Sequence, residues 1–309
     1  MNAAPAPGPA PAPGPAPAPV LILVPGIVGP PRDGGPAIVA ADPDAPQIGI
    51  ADLGLVRGEG VFETIGVFDG RISVLDAHLR RLQRSADMED MPRLDLDVMA
   101  DAVRAAVDAH ADVPELLVRV VVTPGPEGGG PDAVPTAFVH VKQAPDYGPE
   151  RAGMRVVALD RGIPTTAPAT SPWLLAGAKS LSYAVNMASL REAQRRGAQD
   201  VLFVSSDGYA LEGPTSTLLV RRGDTFVTTP ASAGILPGTS LASVVDGLRA
   251  GGATCTEELL TPAEVAGADG AWLLSSVRLA APITHLDDAP LTVDRALTDR
   301  LSGLIAQGE

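Results

Sequence analysis

Apolar residues recur along the first half of the chain at spacings that predict short strands and amphipathic helices. The run GVFETIGVFDGRISVL contains two β-rich segments around Asp69-Gly70, a dipeptide typical of a tight hairpin turn. Leucines then recur at helical spacing from Leu75 to Leu82, and Asp76 is the expected N-cap of that helix. A second helix is predicted over LDVMADAVRAAVDAH, and LLVRVVVTPG and TAFVHVKQ are typical of strands. The first half therefore predicts an α+β unit.

The second half alternates predicted hairpins with predicted helices. MRVVAL is typical of a strand, and SLSYAVNMASLREAQRRG of a helix that ends at Gly197. Two hairpins follow, DVLFVSSDGYALEG with Asp207-Gly208 at its turn and STLLVRRGDTFVTTP with Gly223-Asp224. GTSLASVVDGLRAGG and VDRALTDRLSGLIAQ predict helices on either side of a buried strand, GAWLLSS. Many antiparallel hairpins with intervening helices favour a barrel-like second domain.

These patterns divide the chain into three predicted parts. The run MNAAPAPGPAPAPGPAPAP cannot bury enough apolar surface to fold, so residues 1–36 are predicted to form a disordered, polyproline-like tail. Within this part, VLILVPGIV is too short to cross a bilayer, lacks a positively charged leader, and is predicted as a strand. Residues 37–160 are the predicted N-terminal α+β domain and residues 161–309 the C-terminal domain, with the Pro/Thr-rich RGIPTTAPATSPW as the connection.

The chain is acidic, with a formal net charge of −14 over 309 residues. This charge argues against nucleic acid as a partner, because a phosphate-binding face needs clustered Lys and Arg, although a local basic pocket for a small anion remains possible. The single cysteine, Cys255, can form no disulfide within the chain, and the four histidines show no ligand spacing, so we expect no metal. We expect a cytoplasmic protein that does not enter a membrane.

Two charged residues are candidates for covalent cofactor chemistry. Lys179, one of only two lysines, stands in GAKSLSYAVN just before a predicted helix. It can form a Schiff base with a carbonyl cofactor if burial lowers the pKa of its ammonium group; a surface lysine at a helix start is the alternative. Glu212, in LEGPTSTLLV at the end of a predicted strand, can face a pyridine nitrogen and keep it protonated, or can be an ordinary turn acid.

Three further stretches carry groups that suit a phosphate. GILPGTSL has Thr239 and Ser240 at the start of a predicted helix, where exposed backbone N–H groups bind anions. LSSVRLAAP offers Ser276 after a strand, and HLRRL offers Arg81, whose guanidinium pairs well with phosphate. Taken singly, each stretch is better explained as an ordinary junction, a surface hydroxyl or a solvated basic face.

In their order along the chain, GEGVFET, DGR, AHLRRL, KSLSY, LEGPTST, GILPGTS and LLSS resemble the fold-type IV pyridoxal-phosphate enzymes. This family includes branched-chain and D-amino-acid aminotransferases and 4-amino-4-deoxychorismate lyase, and the resemblance covers roughly residues 37–290. It implies an α+β, two-domain fold with an N-terminal α/β sandwich and a C-terminal barrel-like α/β domain. It also implies pyridoxal 5'-phosphate as the cofactor, a small-molecule amine as the substrate, and a homodimer with the active site at the domain interface.

The resemblance implies a role for each matching position. Lys179 matches the catalytic lysine that binds the cofactor as a Schiff base, and Glu212 matches the acid at the pyridine nitrogen. The groups that hold the cofactor's phosphate are matched by Arg81, Thr239, Ser240 and Ser276. Many members of the family have Asn at two positions that differ here, Ser182 and Thr217.

Substrate contacts follow less directly from the sequence. The substrate of the lyase carries two carboxylates, which need cations or N–H groups, and Arg57 and Arg278 are candidates. Each of these arginines also fits a structural or surface role. Tyr183 lies near the cofactor-facing turn after the lysine, where the family varies.

The segments GAKSLSYAVNMA, DGYALEGPTST and WLLSSVRLAAP resemble the actinobacterial group of 4-amino-4-deoxychorismate lyases. This resemblance implies elimination of pyruvate to give 4-aminobenzoate, a step of folate biosynthesis. A branched-chain or D-amino-acid aminotransferase of the same fold is the alternative, since both reactions use the same lysine, acid and phosphate site. A third alternative is a non-catalytic scaffold that only binds the cofactor, which the presence of Lys179 and Glu212 disfavours.

Overall fold

A computed structural model describes residues 16–130 and 133–307, in which the strands form two sheets. The N-terminal sheet consists of β1 (Val20–Leu23), β2 (Val39–Ala41), β3 (Val61–Phe68), β4 (Arg71–Ile72), β5 (Glu115–Thr123) and β6 (Thr136–Gln143). These strands lie in the order β2-β1-β6-β5-β3-β4, and neighbouring strands are antiparallel.

The helices are α1 (Leu53–Val56), α2 (Leu75–Met88), α3 (Leu96–Ala109), α4 (Gly148–Ala152), α5 (Ala167–Thr170), α6 (Ala184–Arg195), α7 (Thr239–Ala250), α8 (Pro262–Ala266) and α9 (Arg295–Ala306). Across residues 16–130 and 133–307, no helix is long and apolar enough to span a bilayer. The predicted helices in both halves are confirmed, although α6 begins at Ala184 rather than at Ser180. We call residues 177–183, which precede α6 and include Lys179, the lysine segment.

One face of the N-terminal sheet packs against α2 and α3. Because side chains alternate along a strand, Val61, Ile65 and Val67 of β3 enter the core that these helices cover. The intervening residues, including Phe62 and Thr64, point to the opposite face. The sheet therefore has one face covered by helices. The opposite face, called here the open face, meets the second half of the chain at Phe68 but leaves Phe62 and Thr64 partly exposed, where a ligand site can form.

The hairpin predicted around Asp69-Gly70 is confirmed, with Val67 opposite Ile72 in the register of β3 and β4. The predicted N-cap of α2 is wrong. Val74, in the left-handed conformation at φ 40° and ψ 47°, precedes the helix, and Asp76 lies within its first turn. An acidic side chain is still favourable there, because it faces the positive end of the helix dipole.

The predicted tail extends too far along the chain. β1 pairs with β2 and β6, and Val24 and Ile27 are fully buried in the N-terminal core. The prediction of disorder over residues 1–36 is therefore wrong from β1 onward, because the apolar run VLILV finds a core to enter. The Pro/Ala-rich residues 1–15 of that prediction lie outside the described residues.

The second sheet contains β7 (Met154–Asp160), β8 (Asp200–Val204), β9 (Thr217–Arg222), β10 (Thr225–Thr228), β11 (Thr254–Glu257), β12 (Gly270–Ser275), β13 (Leu279–Leu286) and β14 (Ala289–Pro290). Their order is β11-β10-β9-β12-β13-β7-β8, with β14 added beside β13. The sheet is mixed, because β7 runs parallel to β8 and β13, and β10 runs parallel to β11.

This second sheet curls around its own core. Leu202 of β8 and Val227 of β10 come from opposite ends of the sheet and enter the same hydrophobic cluster. The segment that follows β8 joins the two ends, since the Ala210 N–H donates to the Leu260 carbonyl at 2.7 Å and the Thr229 hydroxyl donates to the Ala210 carbonyl at 2.9 Å. The sheet is a half-barrel, as the hairpin pattern predicted, with α7 and α9 packed on its outer face.

The predicted boundary between residues 160 and 161 lies one strand too late. β7 pairs with β8 and β13, so it belongs to the half-barrel rather than to the N-terminal domain. The change from one sheet to the other falls between β6 and β7. The Pro/Thr-rich connection follows β7 and leads to the lysine segment.

Replacing Ile27 tests whether this part of the predicted tail belongs to the fold. Ile27→Ala should lower the free energy of unfolding by about 2–5 kcal/mol, because it empties space in a packed core. Val28→Ala is the matched control, since Val28 is 40% exposed and Ile27 is 0% exposed; its effect should stay within about 0.5 kcal/mol. Equal denaturation midpoints for wild type and Ile27→Ala would contradict the placement.

Candidate active site

Lys179 lies where the two sheets meet. Its carbonyl accepts from the Phe62 N–H at 3.0 Å and its own N–H donates to the Ser85 hydroxyl at 3.0 Å. The next residues continue this pairing with the start of β3, through Leu181 N–H to the Gly60 carbonyl at 2.7 Å. The approach is so close that a Cβ at Gly60 would lie 2.9 Å from the Leu181 Cδ1. The lysine backbone is therefore held from both sides.

The side chain of Lys179 is buried between aromatic rings. Its Nζ lies 4.4 Å from the centre of the Phe62 ring and 5.8 Å from that of Tyr183, and these two rings meet edge to face. Burial, followed by the positive charge of Arg81, lowers the pKa of Lys179 to about 8, although Glu63 and Glu212 oppose the shift. The lysine therefore has an accessible free-amine form near neutral pH, as a Schiff-base lysine requires.

Glu212 is held as a buried hydrogen-bond acceptor. Its Oε1 accepts from Arg161 Nη1 at 3.0 Å, and its Oε2 accepts from the Leu236 N–H at 3.1 Å. Burial raises the pKa of Glu212, while Arg161 acts in the opposite direction and favours the carboxylate. Arg161 itself stacks on Phe203, with its Cζ 5.3 Å from the ring centre. Sequence reasoning missed Arg161, because nothing in its own neighbourhood distinguishes it from a surface arginine.

Hydroxyl groups converge at the start of α7. Thr239 and Ser240 are its first two residues, and the Ser240 Oγ lies 3.4 Å from the Ser276 Oγ. Gly238 precedes the helix, and a Cβ there would lie 2.4 Å from the Thr217 hydroxyl. The hydroxyl groups of Thr239, Ser240 and Ser276 and the N–H groups of the first turn of α7 form a cup that can hold a phosphate. We call Thr239, Ser240 and Ser276 the phosphate cup.

Arg81 lies beside the phosphate cup and is tied to an acid that the sequence reasoning did not single out. Its Nε and Nη2 donate to Glu63 at 2.7 and 2.6 Å, and its Nη1 donates to the Pro237 carbonyl at 3.1 Å. Glu63 also contacts His78 at 2.7 Å. Glu63 stands in the motif GEGVFET and His78 in the motif AHLRRL. Both motifs belong to the family resemblance, which therefore contained a sequence signal for these two residues.

The three residues predicted to contact substrate have different surroundings. Tyr183 flanks Lys179, and its hydroxyl donates to the Pro214 carbonyl at 2.6 Å. Arg57 is 58% exposed and pairs with Glu127. Arg278 pairs with the buried Asp200 at 2.7 Å. In these contacts only Tyr183 joins the lysine site, and the substrate roles of the two arginines stay predictions.

A different arginine, Arg119, acts electrostatically on the lysine. Arg119 lies on the open face of the N-terminal sheet, between Thr64 of β3 and His140 of β6 in the strand register. Its positive charge lowers the pKa of Lys179 in the same direction as burial and Arg81 do. Arg119 was missed because the strand LLVRVVVTPG shows no sign of which face is covered by helices.

The donors and acceptors suit pyridoxal phosphate. That cofactor needs an amine for its aldehyde, a carboxylate for its ring nitrogen and a site for its phosphate. Lys179, Glu212 and the phosphate cup supply these groups, and the loop from Leu236 to Gly238 links the last two. In the described part of the chain, no group of three or more His, Cys, Asp and Glu side chains is arranged to hold a metal ion.

The fold and this set of groups define a fold-type IV pyridoxal-phosphate enzyme. The chain belongs to the amino-transferase class IV family, whose sequence profile matches residues 60–286. The predicted family, fold class and cofactor are thereby confirmed. The match begins at Gly60, next to the residues that bond the lysine segment, and ends with β13.

Individual relatives agree with this assignment. A Mycobacterium tuberculosis protein named bifunctional aminodeoxychorismate lyase / D-amino acid transaminase is 43% identical over 258 residues, which cover 79% of this chain and 88% of that protein. The fold IV-transaminase CpuTA1 from Curtobacterium pusillum has a TM-score of 0.89 and 46% identity, covering 93% of this chain and 97% of its own. A hypothetical aminotransferase from Mycobacterium tuberculosis, in its PLP-bound form, has a TM-score of 0.84 and 37% identity, covering 94% and 99%.

Because the chain has only two lysines, the titration of Lys179 can be measured directly. Pyridoxal phosphate added to cofactor-free protein and trapped with borohydride should label Lys179, because only the free amine attacks the aldehyde. The labelling rate should rise with pH to a midpoint of about 8. Peptide mass spectrometry locates the label.

Lys142→Arg is the matched control for this measurement, since Lys142 is exposed on β6. It should keep both the label and its pH dependence, whereas Lys179→Ala should lose them. A midpoint at about 10, the ordinary value for lysine, would contradict the effect of burial.

Proposed function

We propose that this protein is a 4-amino-4-deoxychorismate lyase, which eliminates pyruvate from its substrate and forms 4-aminobenzoate for folate biosynthesis. The observation that carries the proposal is a buried lysine of lowered pKa, Lys179, together with a second cation, Arg119, that lies on the open face of the N-terminal sheet and acts electrostatically on the lysine. A substrate that carries an amine and two carboxylates matches this pair, because its amine suits the chemistry of Lys179 and one of its carboxylates suits the charge of Arg119. The Mycobacterium tuberculosis relative, whose name includes the same lyase activity, supports the choice.

A D-amino-acid aminotransferase is the second candidate, because the name of that relative includes D-amino acid transaminase as well. A branched-chain aminotransferase would use the same lysine, acid and phosphate site. A scaffold that binds the cofactor without catalysis is disfavoured, since the Lys179 amine is free of an ion-pair partner at hydrogen-bond distance in the described residues and its pKa is already lowered to about 8.

In the proposed site, Lys179 would hold the cofactor's aldehyde carbon, Glu212 would pair with its ring nitrogen, and Arg81 and the phosphate cup would bind its phosphate. Bound pyridoxal phosphate supplies an electron sink for the carbon that bears the substrate's amine. Arg161 favours the carboxylate form of Glu212 against the effect of burial, and that carboxylate would accept a hydrogen bond from a protonated ring nitrogen. Phe62 and Tyr183 exclude water from the amine on either side.

The proton transfers belong to Lys179. With the substrate bound, the unprotonated Lys179 Nζ would accept the proton from substrate C4. The bond between C3 and the ether oxygen breaks, and its electron pair leaves on that oxygen as the enolate of pyruvate. Protonation of the enolate's methylene carbon gives pyruvate, and the ring left behind is aromatic. In a transaminase, Lys179 would also move the proton, but no bond between carbon and the ether oxygen would break.

Arg119 is the proposed carboxylate-binding residue, in preference to the two arginines predicted from the sequence. Arg278 already neutralises Asp200, and Arg57 already pairs with Glu127 at an exposed position. Tyr183 remains a proposed substrate neighbour, since its ring flanks Lys179.

The proposed working unit is a homodimer in the cytoplasm, without nucleic-acid or membrane partners. Exposed apolar side chains of two neighbouring elements support a second copy of the chain as the partner. Leu55 and Val56 lie on α1, Val185 and Met187 lie on α6, and all four are exposed. The Ser182 hydroxyl joins the two regions by donating to the Gly58 carbonyl at 3.1 Å.

Two parallel assays separate the lyase from the aminotransferase. Aminodeoxychorismate should give 4-aminobenzoate and pyruvate in equal amounts, and Lys179→Ala should give neither. D-alanine with 2-oxoglutarate should give glutamate only if the protein also transaminates. If the first assay gives no 4-aminobenzoate and the second gives glutamate, the lyase is rejected in favour of the aminotransferase.

Arg119→Gln tests the proposed carboxylate site. It should raise the KM for aminodeoxychorismate by about tenfold or more, because one charge-assisted hydrogen bond is lost, while the bound cofactor's spectrum stays unchanged. Arg57→Gln, measured in parallel, should leave KM near the wild-type value, and Arg104→Gln on the exposed face of α3 is the neutral control. A larger rise in KM for Arg57→Gln than for Arg119→Gln would instead support Arg57 as the carboxylate-binding residue, as predicted from the sequence.

A further inference from the structure

A buried histidine lies directly behind the phosphate cup, and the chemistry proposed above makes no use of it. His78 is fully buried on α2. Its Nδ1 lies 2.7 Å from Glu63 Oε2, and its Nε2 lies 3.2 Å from the Ser276 Oγ and 3.3 Å from the Thr239 Oγ1. The imidazole therefore connects a buried acid to two of the three hydroxyl groups of the cup.

The acid determines which ring nitrogen carries a proton. Burial alone would raise the pKa of Glu63, but the charge and hydrogen bonds of Arg81, together with the bond from His78, lower it to about 2. Glu63 is therefore a carboxylate and can only accept hydrogen bonds. It follows that the Nδ1 of His78 carries a hydrogen and donates it, and that Nε2 is left to face the cup.

In the absence of a phosphate, the imidazole is neutral. Burial is the largest cause that lowers the pKa of His78, and Arg81 and Lys179 lower it further, against the opposing effect of Glu63. A neutral Nε2 can only accept a hydrogen bond, so one of the hydroxyl groups of Thr239 and Ser276 must direct its hydrogen toward His78. That hydroxyl then presents its oxygen lone pairs to the cup, which is the wrong polarity for an anion.

A bound phosphate dianion reverses this balance. The charges that act on His78 come from Glu63 of β3, Arg81 of α2 and Lys179 of the lysine segment. Because Glu63 and Arg81 neutralise each other, an imidazolium in the empty cup would be an uncompensated buried charge. A dianion one hydroxyl away provides the missing compensation, and an imidazolium Nε2–H would donate to a hydroxyl oxygen and leave the hydroxyl hydrogens free to face the phosphate.

We propose that His78 takes up a proton from solvent when the cofactor's phosphate enters the cup, and that the imidazolium orients the hydroxyl groups of Thr239 and Ser276 toward that phosphate. His78 is thus a positioning residue, which acts through the two hydroxyl groups and touches neither substrate nor cofactor. The proposal rests on the phosphate site proposed above, but it does not depend on which reaction the enzyme catalyses.

Proton uptake on cofactor binding tests this role. Pyridoxal phosphate is titrated calorimetrically into cofactor-free protein at about pH 8, above the ordinary pKa of histidine, in two buffers of different ionisation enthalpy. Wild type should take up about one proton more per site than His78→Gln, whose side chain stays neutral. Protons exchanged by Lys179 and the cofactor itself cancel in this difference.

Two controls isolate the phosphate and the residue. Pyridoxal, which lacks the phosphate, should show no difference in proton uptake between wild type and His78→Gln. His285→Gln should match wild type with either probe, because His285 lies on β13 and its Nδ1 contacts the neighbouring Thr284 hydroxyl. Equal proton uptake by wild type and His78→Gln with pyridoxal phosphate would overturn the proposal.

A measurement on the unmodified protein keeps the test decisive if His78→Gln fails to fold. Ring nitrogen-15 chemical shifts of His78 should change from a neutral, Nδ1-protonated imidazole to an imidazolium when pyridoxal phosphate is added. A ring that stays neutral would refute the proposal. Ser276→Ala separates this failure from an error in the phosphate site, because unchanged affinity for pyridoxal phosphate in that variant would show that the phosphate binds elsewhere.

Discussion

The buried ion pair of Glu63 and Arg81 is the interaction on which the rest of the site depends. A carboxylate without exposed surface is very unfavourable unless a cation and further hydrogen bonds compensate it, and Arg81 and His78 provide both. Arg81 also bonds the Pro237 carbonyl, so the pair joins β3, α2 and the loop before α7. This one carboxylate therefore fixes the position of the phosphate cup relative to the N-terminal core.

The reactivity of the lysine follows from the same junction between the two sheets. Lys179 pairs by its backbone with the first residues of β3, while its side chain is enclosed by Phe62 and Tyr183. Burial by both halves of the chain lowers the pKa of its ammonium group, and Arg81 adds to the effect. The arginine that lies beside the phosphate cup thereby also favours the free-amine form of the lysine. The charge of Arg81 therefore acts on the phosphate cup and on the lysine at the same time.

Local patterns predicted much of this molecule. The Asp-Gly hairpin of β3 and β4, the helices α2, α3, α7 and α9, and the half-barrel of hairpins follow from spacing and turn residues. Lys179 and Glu212 were found because their order along the chain resembles a known family. Arg161 and Arg119 were missed, because a charged residue within a strand or loop has no local sign of which partner it will meet, whereas Glu63 was missed although it stands in the motif GEGVFET.

Local sequence specifies the types of chemical group and the elements that carry them, since turns, helical periods and glycines act over a few residues. How those groups act depends on contacts that form only in the folded protein. Arg119 acts on the lysine from the sheet face that α2 and α3 do not cover, whereas Arg278 meets Asp200 instead of the lysine site. The folded part of the chain begins earlier than predicted for the same reason, because VLILV folds only where β6 and α3 offer it a partner. Burial and charge pairing are sums over residues distant in sequence, and no local pattern contains them.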